Sequence, residues 1–76
     1  MRKIIDVRES YEFSSGHLDG AINIPLSDFE ADFDSATKNL DRNDEIIVYC
    51  RSGSRASFVQ AQLVQNGFKN VVNGIN

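Results

Sequence analysis

The sequence is poor in residues that bind metals or form cross-links. Its 76 residues include one cysteine, one histidine, one proline and no tryptophan. A single cysteine excludes an intramolecular disulfide, and a structural zinc site takes four Cys or His ligands, more than the chain holds. No apolar run approaches the ~20 residues that span a bilayer, and the opening MRKIIDV is too short for a signal peptide. We therefore expect one small domain with no structural zinc site and no membrane partner.

Positive charge is also scarce. Eight Lys and Arg residues face eleven Asp and Glu residues, which gives a formal net charge of −3. Nucleic acid is therefore an unfavourable partner, because binding phosphates requires a basic face. Most of the acids lie between residues 28 and 45, which we interpret as a solvated surface. The segment after Cys50 differs, since it carries Arg51 and Arg55 with no acid nearby in sequence, and this predicts a site for a small anion.

Four apolar stretches predict strands. They lie at residues 3–7, 20–26, 45–50 and 70–76. The third, EIIVYC, is the strongest signal, and Pro25 is typical of a strand end because it has no backbone N–H to donate. Helical patterns separate these strands in sequence. The alternation predicts an α/β fold with a mostly parallel central sheet flanked by helices on both faces.

The first two helices are predicted from their end residues. Ser10 is a candidate N-cap for one or two turns that end near Gly16. Ser27 is a candidate N-cap for a second helix that carries Phe29 and Phe33, four residues apart, on one face.

The third helix follows Cys50. Apolar residues at positions 56, 59 and 63, with position 58 beside them, have helical spacing. Gly67 predicts a left-handed helix end, and Phe68 is expected to fold back onto the last turn.

The loop that joins Cys50 to this helix has the composition of an anion site. Ligands bind at the carboxyl ends of strands in open α/β sheets, and Cys50 lies at such an end. Residues 51–55 (RSGSR) can point successive backbone N–H groups inward. Gly53 allows tight curvature, while Ser52 and Ser54 are small enough to leave space for a ligand. We therefore predict a reactive thiol with a lowered pKa, in preference to the alternative of a small buried hydrophobe.

Two segments resemble the rhodanese family, specifically its small single-domain thiosulfate sulfurtransferases. DVRESYEFSSGHLDGAINIPL (6–26) is similar to the signature D-V-R, an acid, G-H-[IL]-x-G-A and I-P. IVYCRSGSRAS (47–57) is similar to a six-residue active-site loop that begins with cysteine, and GFKNVVNGI (67–75) resembles the segment after the active-site helix. The resemblance implies a single rhodanese-like domain over residues 1–76, without the family's first strand and its terminal tryptophan and helix.

The resemblance also implies a chemistry. Cys50 would attack the outer sulfur of thiosulfate, release sulfite and hold a persulfide, with no metal or organic cofactor. The sulfur would pass to cyanide or another thiophilic acceptor, a protein thiol included. The backbone amides of residues 51–55 would bind the persulfide, and the side chains of Arg51 and Arg55 would bind the sulfonate.

The N-terminal signature is expected to be structural. We predict an ion pair between Arg8 and Glu12 that braces the following loop. His17 is interpreted as a structural residue, because a thiolate in a cationic loop needs no general base.

Two other functions remain open. A persulfide carrier would accept sulfur and pass it to a partner with little turnover. A cysteine phosphatase or arsenate reductase would also hold an anion around a cysteine, but such sites generally place arginine six positions after it. That position is Ala56 here, and Arg55 comes one earlier. The sequence does not indicate the compartment or the oligomeric state.

Overall fold

The fold is a four-stranded parallel sheet with helices. The computed structural model describes residues 1–74 of the chain. The strands are β1 (Arg2–Asp6), β2 (Ile22–Asn23), β3 (Glu45–Tyr49) and β4 (Val71–Asn73). Their order is β2-β1-β3-β4, and every neighbouring pair is parallel. The predicted α/β class is confirmed. The last predicted strand extends to residues 75–76, which lie outside the described residues.

The helices are α1 (Ser10–Ser14), α2 (Leu26–Ala31), α3 (Phe33–Ala36) and α4 (Ser54–Gln65). The prediction of Ser10 as an N-cap is wrong, because Glu9 occupies that position. Its side chain accepts from the backbone of Glu12, and the Glu12 side chain accepts from the backbone N–H of Glu9. This reciprocal capping box gives a helix of only five residues a defined start. No helix within residues 1–74 is long and apolar enough to cross a bilayer.

The second predicted helix is divided into two. Ser27 does not cap it, because the helix already begins at Leu26 and Pro25 occupies the N-cap position. Asp32 then adopts an extended conformation (φ −159°, ψ 94°), and its side chain accepts from the N–H of Ser35 to start α3. Phe29 and Phe33 therefore lie on separate helices. Their rings still pack together, with centroids 6.1 Å apart.

The hydrophobic core lies between one face of the sheet and the helices. Its buried residues include Ile5, Val7, Phe29, Ile46, Val48, Ala56, Val59, Leu63 and Phe68. The predicted apolar face of α4 is confirmed at positions 56, 59 and 63, whereas Phe58 is 47% exposed. Gly67 has φ +90°, and Phe68 folds back to donate its N–H to the carbonyl of Leu63, as predicted.

The opposite face of the sheet is covered at its carboxyl end by the chain that follows α1. Tyr49 points away from Val48, because neighbouring residues in a strand face opposite sides. Its hydroxyl accepts a hydrogen bond from the N–H of Leu18 at 3.1 Å. This contact brings the segment after α1 to the edge of the sheet at which Cys50 lies.

Candidate active site

Cys50 follows the last residue of β3 and is only 4% exposed. Two backbone N–H groups point at its sulfur, that of Gly53 at 3.1 Å and that of Ala56 at 3.4 Å. Gly53 has φ +95°, a left-handed conformation that L side chains rarely adopt, so glycine is needed at this turn. Residues 50–55 form the segment that we call the Cys50 loop, and its last two residues belong to the first turn of α4.

The surroundings of Cys50 favour its thiolate. Burial alone raises the pKa of the thiol, but hydrogen bonds from the backbone N–H groups of residues 52–53 and 55–56 outweigh burial. The pKa of Cys50 is therefore lowered from its ordinary value. The amino end of α4, a helix of twelve residues, contributes positive potential in the same direction. The geometry thus agrees with the expectation of a stabilised thiolate.

The neighbouring strand holds the Cys50 loop in place. The carbonyl oxygen of Gly53 accepts two hydrogen bonds, one from the N–H of Ser57 and one from Asn73 Nδ2, each 2.9 Å long. Asn73 is the last residue of β4, which pairs with β3 beside the site. It fixes the orientation of a peptide group next to the sulfur. We did not identify Asn73 from the sequence, where its only signal was a polar residue at a strand end.

The remaining polar side chains of the loop face solvent. Arg51, Ser52 and Ser54 are all exposed, and the hydroxyls of the two serines lie 3.3 Å apart. Arg51 therefore stands at the rim of the loop.

Arg55 makes an ion pair that the sequence did not predict. Its Nη1 and Nη2 donate to the two carboxylate oxygens of Glu12, at 2.7 and 3.1 Å. This contact joins α1 to the first turn of α4 and lowers the pKa of Glu12 to about 2. The predicted pair between Arg8 and Glu12 is wrong. Arg8 precedes α1, so its spacing of four residues from Glu12 is not a helical spacing.

Arg8 instead pairs with Asp6, which is fully buried. Nε and Nη2 of Arg8 contact the Asp6 carboxylate at 2.8 to 3.1 Å, and the Tyr49 hydroxyl donates to it at 2.8 Å. Burial alone raises the pKa of Asp6, but the hydrogen bonds from Arg8 and Tyr49 outweigh burial and hold the pKa below its ordinary value. Arg8 also donates to the carbonyl of Gly16 at 2.7 Å. The network connects the ends of β1 and β3 to the segment that follows α1.

His17 has a local structural role. Its ring stacks on Phe13, with centroids 3.6 Å apart, and its Nδ1 lies 2.8 Å from the Phe13 carbonyl oxygen. The side chain is exposed, and its contacts hold the turn after α1.

A cavity of about 560 Å³ lies elsewhere, beside β2 and between α2 and α3. Its lining includes Ile24, Asp28 and Leu40 but no residue of the Cys50 loop. Because no thiol lines this cavity, it is a weaker candidate than the Cys50 loop.

Comparison with known proteins identifies a family for this chain. The family model described as "Rhodanese-like domain" matches residues 1–74. The chain is 37% identical over 70 residues to a Bacillus subtilis protein named "Putative sulfur carrier protein YrkF", covering 92% of this chain and 36% of that protein. It is 39% identical over 70 residues to a tRNA uridine(34) hydroxylase of Buchnera aphidicola, covering 90% of this chain and 22% of that enzyme. The chain thus spans about a third or less of these curated relatives.

Solved structures share the fold over more of their length. A structure described as "rhodanese with anions from E. coli" superposes with a TM-score of 0.81 at 32% identity, covering 97% of this chain and 85% of that one. The human single-domain sulfurtransferase TSTD1 superposes with a TM-score of 0.80 at 26% identity, covering 95% and 73%. With its parallel sheet and a cysteine held at the start of α4, the chain belongs to the rhodanese-like domain family.

Proposed function

We propose that this domain is a sulfurtransferase that moves a sulfane sulfur from thiosulfate to cyanide or to a thiol acceptor through a persulfide on Cys50. The observation that carries the proposal is the pair of backbone N–H groups directed at the Cys50 sulfur, at 3.1 and 3.4 Å. They stabilise a negative sulfur through backbone hydrogen bonds, which do not depend on the protonation of a side chain. Family membership and the relatives named as sulfurtransferase and sulfur carrier support the same chemistry.

The first half-reaction loads the cysteine. The Cys50 thiolate attacks the outer sulfur of thiosulfate and forms a new S–S bond. The original S–S bond breaks, and its electron pair leaves with sulfite. The total charge is −3 on both sides, so no proton or oxidant is required. The backbone N–H groups of residues 52–53 and 55–56 then face a persulfide anion in place of the thiolate.

The second half-reaction removes the outer sulfur from the Cys50 persulfide. Cyanide or a thiolate attacks the outer sulfur of the persulfide, and the electron pair of the broken bond returns to Cys50. Cyanide thereby becomes thiocyanate. Arg51 is exposed at the rim of the loop. Its guanidinium can therefore attract both the sulfonate of the arriving donor and an anionic acceptor.

A persulfide carrier is the second candidate, and the name of the Bacillus subtilis relative favours it. The two candidates share the loading step and differ in turnover. Measuring thiocyanate formed per domain separates them: many equivalents support the transferase, whereas about one equivalent with full loading supports the carrier. Robust hydrolysis of p-nitrophenyl phosphate would instead favour a phosphatase.

A further inference from the structure

The cationic side chain closest to the start of α4 is not a free charge. Arg55 gives one N–H from each terminal nitrogen to Glu12, and the carboxylate is itself fixed because it accepts the N–H of Glu9 at 3.0 Å. The Glu12 side chain is only 13% exposed, so solvent screens the pair incompletely. The two hydrogen bonds from Arg55 and the one from the N–H of Glu9 together hold the negatively charged carboxylate of Glu12 beside the Cys50 loop.

We propose that Glu12 sets donor specificity: its carboxylate offsets the charge of Arg55 and thereby reduces the preference of the Cys50 loop for dianionic over monoanionic sulfur donors. The proposal rests on the proposed sulfur transfer and adds the class of donor. Monoanionic donors of this chemistry include organic thiosulfonates and the persulfides of small thiols. Glu12 does not contact the reacting atoms, so its role is to set the local potential.

The charges around the sulfur explain the discrimination. The two guanidiniums of the loop are matched by the carboxylate of Glu12 and the thiolate of Cys50. Glu9 adds a further negative charge that acts on Arg55. The main remaining attraction for an anion is then the amino end of α4 with its backbone N–H groups. Because electrostatic energy scales with ligand charge, removing one negative charge changes the binding of a dianion twice as much, on a logarithmic scale, as that of a monoanion.

A monoanionic donor completes the same reaction. With an organic thiosulfonate, the Cys50 thiolate attacks the outer sulfur, the S–S bond breaks, and its electron pair leaves with the sulfinate. With a small-thiol persulfide, the thiolate of that thiol leaves instead. Neither step consumes an oxidant or a reductant.

The test compares Glu12→Gln with a matched control. Glutamine keeps the size of the side chain and one oxygen that can accept from the N–H of Glu9 and from Arg55 Nη1. Its NH2 group cannot accept from Arg55 Nη2, so the variant removes the charge and that hydrogen bond. Glu45→Gln makes the same change in net charge at the amino end of β3, where Glu45 is exposed. Five residue steps of extended chain lead from Glu45 to Cys50, a distance of about 16 Å, which is beyond the screening length of about 10 Å at 0.1 M salt.

The first readout needs no sulfur transfer. Alkylation of Cys50 is measured with iodoacetate, an anion, and with iodoacetamide, which is neutral. Both reagents attack the thiolate, so the ratio of their rate constants cancels any change in pKa and reports the potential at the sulfur. We expect Glu12→Gln to raise the ratio about threefold and Glu45→Gln to leave it unchanged. An unchanged ratio in Glu12→Gln overturns the proposal.

The second readout uses donors of different charge. In Glu12→Gln, kcat/KM should rise about tenfold for thiosulfate and about threefold for an arenethiosulfonate monoanion. Equal changes for both donors, or a fall for thiosulfate, would show that Glu12 positions Arg55 and does not select by charge. If the wild-type domain forms no persulfide with either donor, the proposed function is wrong, and the alkylation ratio still decides the charge effect of Glu12.

Discussion

Replacing Tyr49 with phenylalanine tests whether the buried Asp6 network stabilises the fold. The substitution deletes one oxygen, which donates to the Asp6 carboxylate at 2.8 Å and accepts the N–H of Leu18 at 3.1 Å. Asp6 is 0% exposed, so water cannot readily replace the lost donor. A hydrogen bond to a charged group contributes about 1.5–3 kcal/mol, and we expect a loss of about 2 kcal/mol in the free energy of unfolding.

A loss of about 2 kcal/mol is a large share of the free energy of unfolding of a domain this small. A chain of 76 residues is expected to have an unfolding free energy of about 4–11 kcal/mol. At about 4–8 °C per kcal/mol, Tyr49→Phe should lower Tm by about 8–16 °C. Urea and thermal unfolding measure both quantities. The matched control is Tyr11→Phe, because Tyr11 is 73% exposed, and its variant should unfold like the wild type. A Tyr49→Phe variant as stable as Tyr11→Phe would refute the reasoning.

Three further predictions concern the site. The rate of iodoacetamide alkylation should show an inflection at a pH below that of an unperturbed thiol, ~8.5, because backbone N–H groups lower the pKa of Cys50; an inflection at or above that value would contradict the geometry. Arg51→Ala should reduce kcat/KM for thiosulfate by about two- to fivefold, as expected for an exposed charge. Arg55→Ala should reduce kcat/KM for thiosulfate by more than Arg51→Ala does, because it also leaves the Glu12 carboxylate unpaired. Equal reductions in the two variants would count against the ion pair between Arg55 and Glu12. Glu12 has a pKa of about 2 in the folded protein against an ordinary 4.5, so its stabilising contribution is present above about pH 4.5 and is lost as the pH falls towards about 2. As the pH falls from about 4.5 towards about 2, the urea midpoint of Glu12→Gln should therefore fall less than that of the wild type. Equal falls in the two proteins would contradict the lowered pKa of Glu12.

Local sequence signals predicted the elements around the site correctly. The apolar run of β3, the spacing of 56, 59 and 63 in α4, and the left-handed glycines Gly53 and Gly67 all depend on residues close in sequence. The position of Cys50 at the junction of β3 and α4 follows from these elements. The loop geometry was therefore predictable, because a strand end, a glycine and a helix start leave few ways to connect them.

Two contacts at the site were missed because local spacing does not determine them. Arg55 and Glu12 are 43 residues apart, and only the packing of α1 against the start of α4 brings them together. The bond from Asn73 to Gly53 likewise depends on β4 lying beside β3. The division between α2 and α3 lies at Asp32, whose backbone is extended. Its side chain caps α3, and this local hydrogen bond replaces the continuation of α2 through Asp32.

The central claim is that Cys50 carries the transferred sulfur. It is tested most directly by the intact mass of the domain after incubation with thiosulfate and removal of excess reagent. We predict a gain of one sulfur atom in the wild type, reversed by a thiol reductant or by cyanide with release of thiocyanate. Cys50→Ser, which has a side chain of similar size, should show no gain while keeping the unfolding curve of the wild type. A wild-type protein of unchanged mass, or a serine variant that gains sulfur equally, would contradict the account.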